Sequence, residues 1–275
     1  MLRIAIQSKG RLYEESMALL EEAGIKIPGG KRTLLVPARN FPVEVLFLRD
    51  DDIPESVASG VADVGIVGLN EVMEKRCPVG ILKKLGFGKC RLSLAIPQDI
   101  DYQDRNWFSG KKIATSYPGI LSDYLHKNGI VSDIHVITGS VEIAPGIRLA
   151  DAIFDIVSSG STLVSNRLKE VETVVESEAV LIGTDFISPE KRGILDELLF
   201  RFDSVQAADD KKYILMNVPQ KKLNDVLSVL PGIKSPTVMP LADKEWCSVH
   251  TVLDEKCFWE IINRLKMAGA EGILV

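Results

Sequence analysis

Between Ala150 and Leu163 the chain reads ADAIFDIVSSGSTL, in which two carboxylates, Asp151 and Asp155, precede the small residues Ser158, Ser159, Gly160, Ser161 and Thr162. These residue types suit a phosphorylated sugar. Hydroxyls and backbone amides of a small-residue turn donate to phosphate oxygens, and a glycine lets the backbone come close to the ligand. Neighbouring carboxylates suit ribose hydroxyls, or a Mg²⁺ held between phosphates. An ionised Asp155 within an apolar segment costs free energy unless it emerges beside a partner at the carboxyl end of a strand. Simple capping of a helix by Ser158 to Thr162, with both aspartates solvated, accounts for the same residues.

Such residues need elements to hold them. AIFDIV is long enough for a short buried strand, and a helical pattern starts at Leu163, which gives strand, loop and helix start in that order. The unpaired N–H groups and positive dipole end of a helix start attract an anion. Near the N-terminus, a strand at Arg3 to Ile6 runs through Gln7, Ser8, Lys9, Gly10 and Arg11 into the helical stretch LYEESMALLEEAG. Lys9 and Arg11 either reach phosphate there or remain solvated surface charge. Val43 to Leu48 alternates like a strand and leads to Arg49, Asp50, Asp51 and Asp52, then to a helix with Pro54 in its first turn. The strand ADVGIV follows, and Gly65 and Gly68 frame a strand end where a planar or phosphorylated group has access to the backbone. CRLSLAIP is a strand carrying Arg91, and KKIATSYP a strand that runs out to Tyr117.

Alternating strands and helices over residues 1–190, with AVLIG as a return strand, predict an α/β fold of parallel sheets covered on both faces. At 275 residues the chain is long for one core. After about residue 200 the order becomes βαββαβ, a ferredoxin-like unit without a phosphate loop, suited to a small ligand or a subunit contact. The net charge of −5 gives no overall case for nucleic acid or an anionic membrane as partner. No run approaches the roughly 20 apolar residues of a membrane span. MLRIAIQSKGRL has too short an apolar core for a signal peptide and reads as a first strand. Cys77, Cys90, Cys247 and Cys257 form no CxxC pair, so reduced thiols in a cytoplasmic protein are expected. His126, His135 and His250 are scattered, and none is expected to act as base or metal ligand.

Taken in order, IAIQSKGRL, RDDDIP, ADVGIVG, CRLSLA, KKIATSYP, GSVEIAP, LADAIFDIVSSGSTL and SPTVMPLA resemble the long form of the ATP phosphoribosyltransferase family, across the whole chain. The resemblance implies two periplasmic-binding-protein-like (type II) α/β domains crossed twice by the chain. Domain I would take residues 1–89 and 172–192, domain II residues 90–171, and a C-terminal ferredoxin-like, ACT-like regulatory domain residues 193–275. It implies that N1 of ATP is joined to C1′ of 5-phosphoribosyl 1-pyrophosphate in the cleft, with Mg²⁺. The products are phosphoribosyl-ATP and pyrophosphate, at the first step of histidine biosynthesis. Inhibition by histidine and homo-oligomers from dimer to hexamer are implied as well.

Carried over position by position, Ser158 to Thr162 hold the 5′-phosphate, while Asp151 and Asp155, with Glu142 as a further candidate, meet ribose hydroxyls or Mg²⁺. Lys9 and Arg11 join those aspartates in the catalytic set and, with Arg49, face pyrophosphate or the ATP phosphates. Asp50, Gly65, Gly68, Asn70, Arg91 and Tyr117 line the ATP side; core packing accounts for Tyr117, and an ion pair for Arg91, about as well. Ser235, Thr237, Val252 and Gly272 fall at the effector site, where sheet packing is an equal alternative. No protein ligands are assigned to the metal. Arg148 stands where many relatives place glycine, and it either contacts substrate or shifts the turn. Two other readings compete: a non-catalytic cytoplasmic solute-binding or sensor protein with the same cleft, and a phosphoribosyltransferase for another base.

Overall fold

The computed structural model describes residues 1–28, 33–231 and 235–275, which form two compact units, Met1–Phe202 and Asp203–Val275. In chain order the first unit contains β1 (Leu2–Gln7), α1 (Arg11–Glu22), β2 (Leu35–Pro37), β3 (Val43–Leu48), α2 (Ile53–Ala58), β4 (Val64–Gly68), α3 (Leu69–Lys75) and β5 (Gly80–Lys84). There follow β6 (Cys90–Pro97), β7 (Lys112–Thr115), α4 (Pro118–Lys127), β8 (Asp133–Val136), β9 (Ala152–Val157), α5 (Ser161–Ser165), β10 (Leu168–Ser177) and β11 (Ala179–Gly183). Helix α6 (Pro189–Asp209) leads into the second unit.

These strands build two sheets, ordered β2-β3-β1-β4-β11-β5 and β10-β6-β9-β7-β8. Only part of the expected parallel arrangement is present. β3, β1 and β4 are parallel, as are β9, β7 and β8, whereas β11 runs antiparallel to β4, and β6 antiparallel to both β9 and β10. Apart from the edge strand β2, which runs antiparallel to β3, the antiparallel strands are those next to the two passages between sheets. A parallel neighbour needs a long crossover connection, whereas here the chain passes from β5 to β6 and from β10 to β11 through short links. The long strand β10 was not expected. It pairs with β6 as far as Ser177, so residues 172–177 belong to the second sheet, and the return to the first lies at Glu178 rather than at 172. The unit boundary likewise falls inside α6, at Phe202/Asp203 instead of 193.

Both faces of the second sheet are covered, in keeping with the period-two alternation of its strands. Leu92, Leu94, Ile96 and Phe154 pack with Ile120, Leu121 and Leu125 of α4 on one side. Ala95, Ile153 and Val157 pack with Val141 and with Leu163 of α5 on the other. Asp155 lies between Ile153 and Val157 in sequence and shares their face.

The second unit holds β12 (Lys211–Pro219), α7 (Leu223–Val229), β13 (Thr237–Pro240), β14 (Trp246–Asp254), α8 (Glu255–Ala268) and β15 (Glu271–Leu274). Its antiparallel sheet is ordered β13-β14-β12-β15, the ferredoxin-like arrangement expected for the βαββαβ run. Val226, Phe258, Ile261 and Leu265 close the core over Ile214, Met216, Val218 and Val249. The four cysteines are free, and among the described residues no helix is long and apolar enough to cross a membrane.

Candidate active site

Because β3, β1 and β4 are parallel, the segments after them, which carry Lys9, Arg11, Arg49, Asp50 and Asn70, leave one edge of the first sheet. β7 and β9 bring Tyr117 and Ser158 out at one edge of the second in the same way. The two edges meet through hydrogen bonds. Tyr117 Oη donates to Glu71 Oε1 at 2.8 Å, and Asn70 Nδ2 donates to the same two groups. Ser177 Oγ donates to Asn70 Oδ1 at 2.8 Å and accepts from the Asn70 N–H. Glu74 of α3 accepts from the Gly119 and Ile120 amides at 2.8 and 2.9 Å and so caps α4 across the junction. Beside this seam runs a groove of about 530 Å³, whose walls include Leu69, Lys89, Cys90, Arg91, Ser158 and Ser177.

Ser158, the first residue of the small-residue loop, lines this groove. Ser158, Ser159, Ser161 and Thr162 are exposed, and Gly160 has φ +78°, a conformation that favours glycine. Ser159 Oγ and Ser161 Oγ lie 3.0 Å apart. The helix that follows has only five residues, so the expected dipole is small and the donors on offer are loop amides and hydroxyls. Arg91 adjoins the loop. Its Nε and Nη2 each meet a Glu170 oxygen at 2.5 Å, and its Nη1 donates to the Ser158 carbonyl at 3.2 Å. The bonds from Arg91, joined by one from Ser93, hold the Glu170 carboxyl down to about 2 against the opposing effect of burial.

Asp155 lies next to the loop. Burial pushes its carboxyl up to about 6; a 2.8 Å hydrogen bond from the Ile156 N–H opposes the shift, and the charge of Glu142 adds to it. Glu142 is therefore close enough to Asp155 for its charge to be felt there. The structure does not bring Asp151 to them. Asp151 stands at the opposite end of β9, about 13 Å of strand from Asp155, where its carboxylate accepts from the Lys112 N–H at 2.9 Å. Same-face spacing in sequence hid this separation along the strand. Arg148, at φ +60°, lines a recess with Asp151, Trp107 and Lys111 at that far end and is not part of the groove.

On the intended ATP side, protein atoms already occupy the space at both glycines. A Cβ on Gly65 would lie 2.6 Å from Ile53 Cγ2, and one on Gly68 would lie 2.4 Å from Asn70 Oδ1, so these glycines serve helix packing and the fold-back of Asn70. Asn70 and Tyr117 are only 4% and 8% exposed and are spent on the seam between the sheets. Lys9 is exposed, Arg11 pairs with Glu15 at 3.5 Å and donates to the Lys89 carbonyl, and Arg49, with a side chain 77% exposed, pairs with Asp51 at 3.2 Å. Asp50 is half-buried and close enough to Glu71 for its charge to be felt there. Burial raises the Glu71 carboxyl, and the Tyr117 hydrogen bond offsets part of that. Glu71, Glu74, Glu170 and Ser177 were not anticipated: a glutamate in an alternating strand such as KEVETVVES looks solvated until its neighbouring strand is known.

In the second unit, Ser235 and Thr237 are exposed at and near the edge strand β13, Val252 lies in the adjacent β14, and Gly272, at φ +54°, sits in β15 at the other edge. Three strand spacings, about 14 Å, separate the two edges. Among the described residues no group of three or more His, Cys, Asp or Glu is arranged to hold a metal ion.

Family models match the chain as "HisG: ATP phosphoribosyltransferase" over residues 49–204 and "HisG, C-terminal domain" over residues 208–275. Curated proteins named ATP phosphoribosyltransferase from Bacteroides fragilis and Phocaeicola vulgatus are each 70% identical over 275 residues, covering all of this chain and 97% of theirs. One from Cytophaga hutchinsonii is 58% identical over 274 residues. Among solved structures, the ATP phosphoribosyl transferase (HisG:HisZ) complex of Thermotoga maritima aligns with TM-score 0.65 and 27% identity, over 74% of this chain and 98% of that one. A substrate-binding protein of an amino acid ABC transporter aligns with TM-score 0.51 at 11% identity, over 76% and 94%, which is a likeness of fold.

Proposed function

Since the chain belongs to the ATP phosphoribosyltransferase family in its long form, and joins N1 of ATP to C1′ of 5-phosphoribosyl 1-pyrophosphate at the first step of histidine biosynthesis, we propose that the groove between its two α/β sheets is where the transfer occurs. One observation carries this reading: Ser158, at the head of the exposed Ser158–Thr162 loop, lines the groove, and Asp155, within reach of the charge of Glu142, precedes it on the same strand.

In this site the amides and hydroxyls of Ser158 to Thr162 take the 5′-phosphate, and Asp155 with Glu142 accepts from the ribose hydroxyls. Lys9, Arg11 and Arg49 leave the facing edge of the first sheet and meet the triphosphate and the departing pyrophosphate, while Asp50 lines the ATP side as an acceptor. Adenine N1 already has a lone pair, so no strong base is required. The cost lies in leaving-group departure, as negative charge grows on pyrophosphate and positive charge on the ribose ring. Cations fixed beforehand offset the first, and an ionised Asp155 favours the second. Holding N1 in line with C1′ supplies a further large part of the acceleration. Mg²⁺ fits the donors present only as an ion carried largely by substrate phosphates, with Asp155 and Glu142 as the protein carboxylates. That matches its habit of binding through one or two carboxylates, and when bound it neutralises the leaving group.

Histidine inhibition through the second unit, assembly into dimers or larger homo-oligomers, and a cytoplasmic location complete the proposal. Activity assays with ATP, phosphoribosyl pyrophosphate and Mg²⁺ test the site. Asp155→Asn lowers kcat/KM for phosphoribosyl pyrophosphate by about 10- to 100-fold, the worth of a charged hydrogen bond. Asp151→Asn leaves it within about threefold. The reverse ranking would remove the groove reading, and equal turnover with GTP would remove the adenine assignment.

A further inference from the structure

Loop amides grip a phosphate only if the loop is held in one shape before the ligand arrives. The ladder of β9 ends at the pair Arg91–Val157, so Ser158 is the first residue beyond it. Its carbonyl is met by Arg91 Nη1 at 3.2 Å. The same guanidinium is locked from its other side, where Nε and Nη2 make paired bonds of 2.5 Å to Glu170. Glu170 is itself fixed by Ser93 Oγ at 2.7 Å and Thr173 Oγ1 at 3.2 Å. Three strands in a row, β10, β6 and β9, thus deliver one chain of bonds from Glu170 through Arg91 to the loop's first peptide. A guanidinium fork is needed for this, since the ammonium of lysine has no planar pair of donors for the carboxylate.

We infer that Arg91 is a positioning residue for the sugar-phosphate loop, locked in place by Glu170, and acts on phosphoribosyl pyrophosphate through Ser158 rather than on ATP. This rests on the assignment of Ser158 to Thr162 to the 5′-phosphate. The Glu170 carboxyl, held down to about 2, stays charged across the working pH range.

The test compares four variants of the full-length enzyme by steady-state kinetics and by calorimetric titration with phosphoribosyl pyrophosphate: Glu170→Gln, Arg91→Lys, their double variant and Ser161→Ala. Glu170→Gln and Arg91→Lys each weaken phosphoribosyl pyrophosphate binding by about 10-fold or more, the worth of a charge-assisted hydrogen bond, and change KM for ATP by less than about twofold. The double variant is no worse than about the weaker single, because both act on one chain of bonds. Equal losses toward both substrates would reduce the pair to a structural role, and a loss toward ATP confined to Arg91→Lys would make it an ATP contact; either overturns the inference. If Arg91→Lys does not fold, the near-isosteric Glu170→Gln carries the test alone. Should Ser161→Ala weaken phosphoribosyl pyrophosphate binding while Glu170→Gln does not, only the positioning role falls. If neither moves it, the phosphate assignment falls as well.

Discussion

Asp155 is a carboxylate placed where it is costly to ionise. Its folded pKa of about 6 lies above the ordinary 3.8, so folding favours the neutral form. The stability it withholds is therefore absent below about pH 4, grows as pH rises toward 6, and is fully withheld above that. Two results follow. At pH 7.5 the melting temperature of Asp155→Asn equals or exceeds that of the parent, by thermal scan, because a buried charge has been removed. In the parent, kcat/KM for phosphoribosyl pyrophosphate climbs as pH rises through about 6, whereas the variant loses that limb. An unchanged limb in Asp155→Asn would assign it to another group. Asp151 shares the residue type but not the setting: it is exposed, and its carboxylate accepts from the Lys112 N–H at the far end of β9.

At the scale of elements, two contacts decide how the site is framed. α2 lies on β4 only because Gly65 has no side chain to meet Ile53 and Val57. Gly65→Ala overpacks this contact and costs about 1–3 kcal/mol in denaturant unfolding, with KM for ATP little changed. A large rise in that KM without loss of stability would restore Gly65 to the ATP side. α3 is tied to α4 by Glu74, which caps the first amides of α4. Glu74→Ala removes that cap and costs about 1–2 kcal/mol; a variant as stable as the parent would mean that water caps α4 as well as Glu74 does.

At the scale of the molecule, the two compact units divide the work, with transfer assigned to the first and histidine response proposed for the second. Thr237 and Gly272 lie at opposite edges of one four-stranded sheet, too far apart for one histidine to touch both within a chain. If both belong to the effector site, neighbouring copies must share it, so histidine binding weakens on dilution as the assembly dissociates. Calorimetry paired with sedimentation reads this; affinity independent of protein concentration would confine the site to one edge. Most of the order of strands and helices, though not β2, α3, β5 or β10, together with the βαββαβ unit, the loop after β9 and the family itself, was legible in sequence, because these depend on local periodicity and on residues adjacent along the chain. Asp155 was legible too, as a lone charge in an apolar strand. What tertiary structure alone decided were the relations across strands. It placed Asp151 away from the groove, filled Gly65 and Gly68 with Ile53 and Asn70, set Glu71 against Tyr117, and joined Glu170 to Arg91 and Ser158. Glu71 and Tyr117, and Glu170, Arg91 and Ser158, are dozens of residues apart in sequence, and a side chain's neighbour on the next strand is fixed by register and sheet order, which no local pattern encodes.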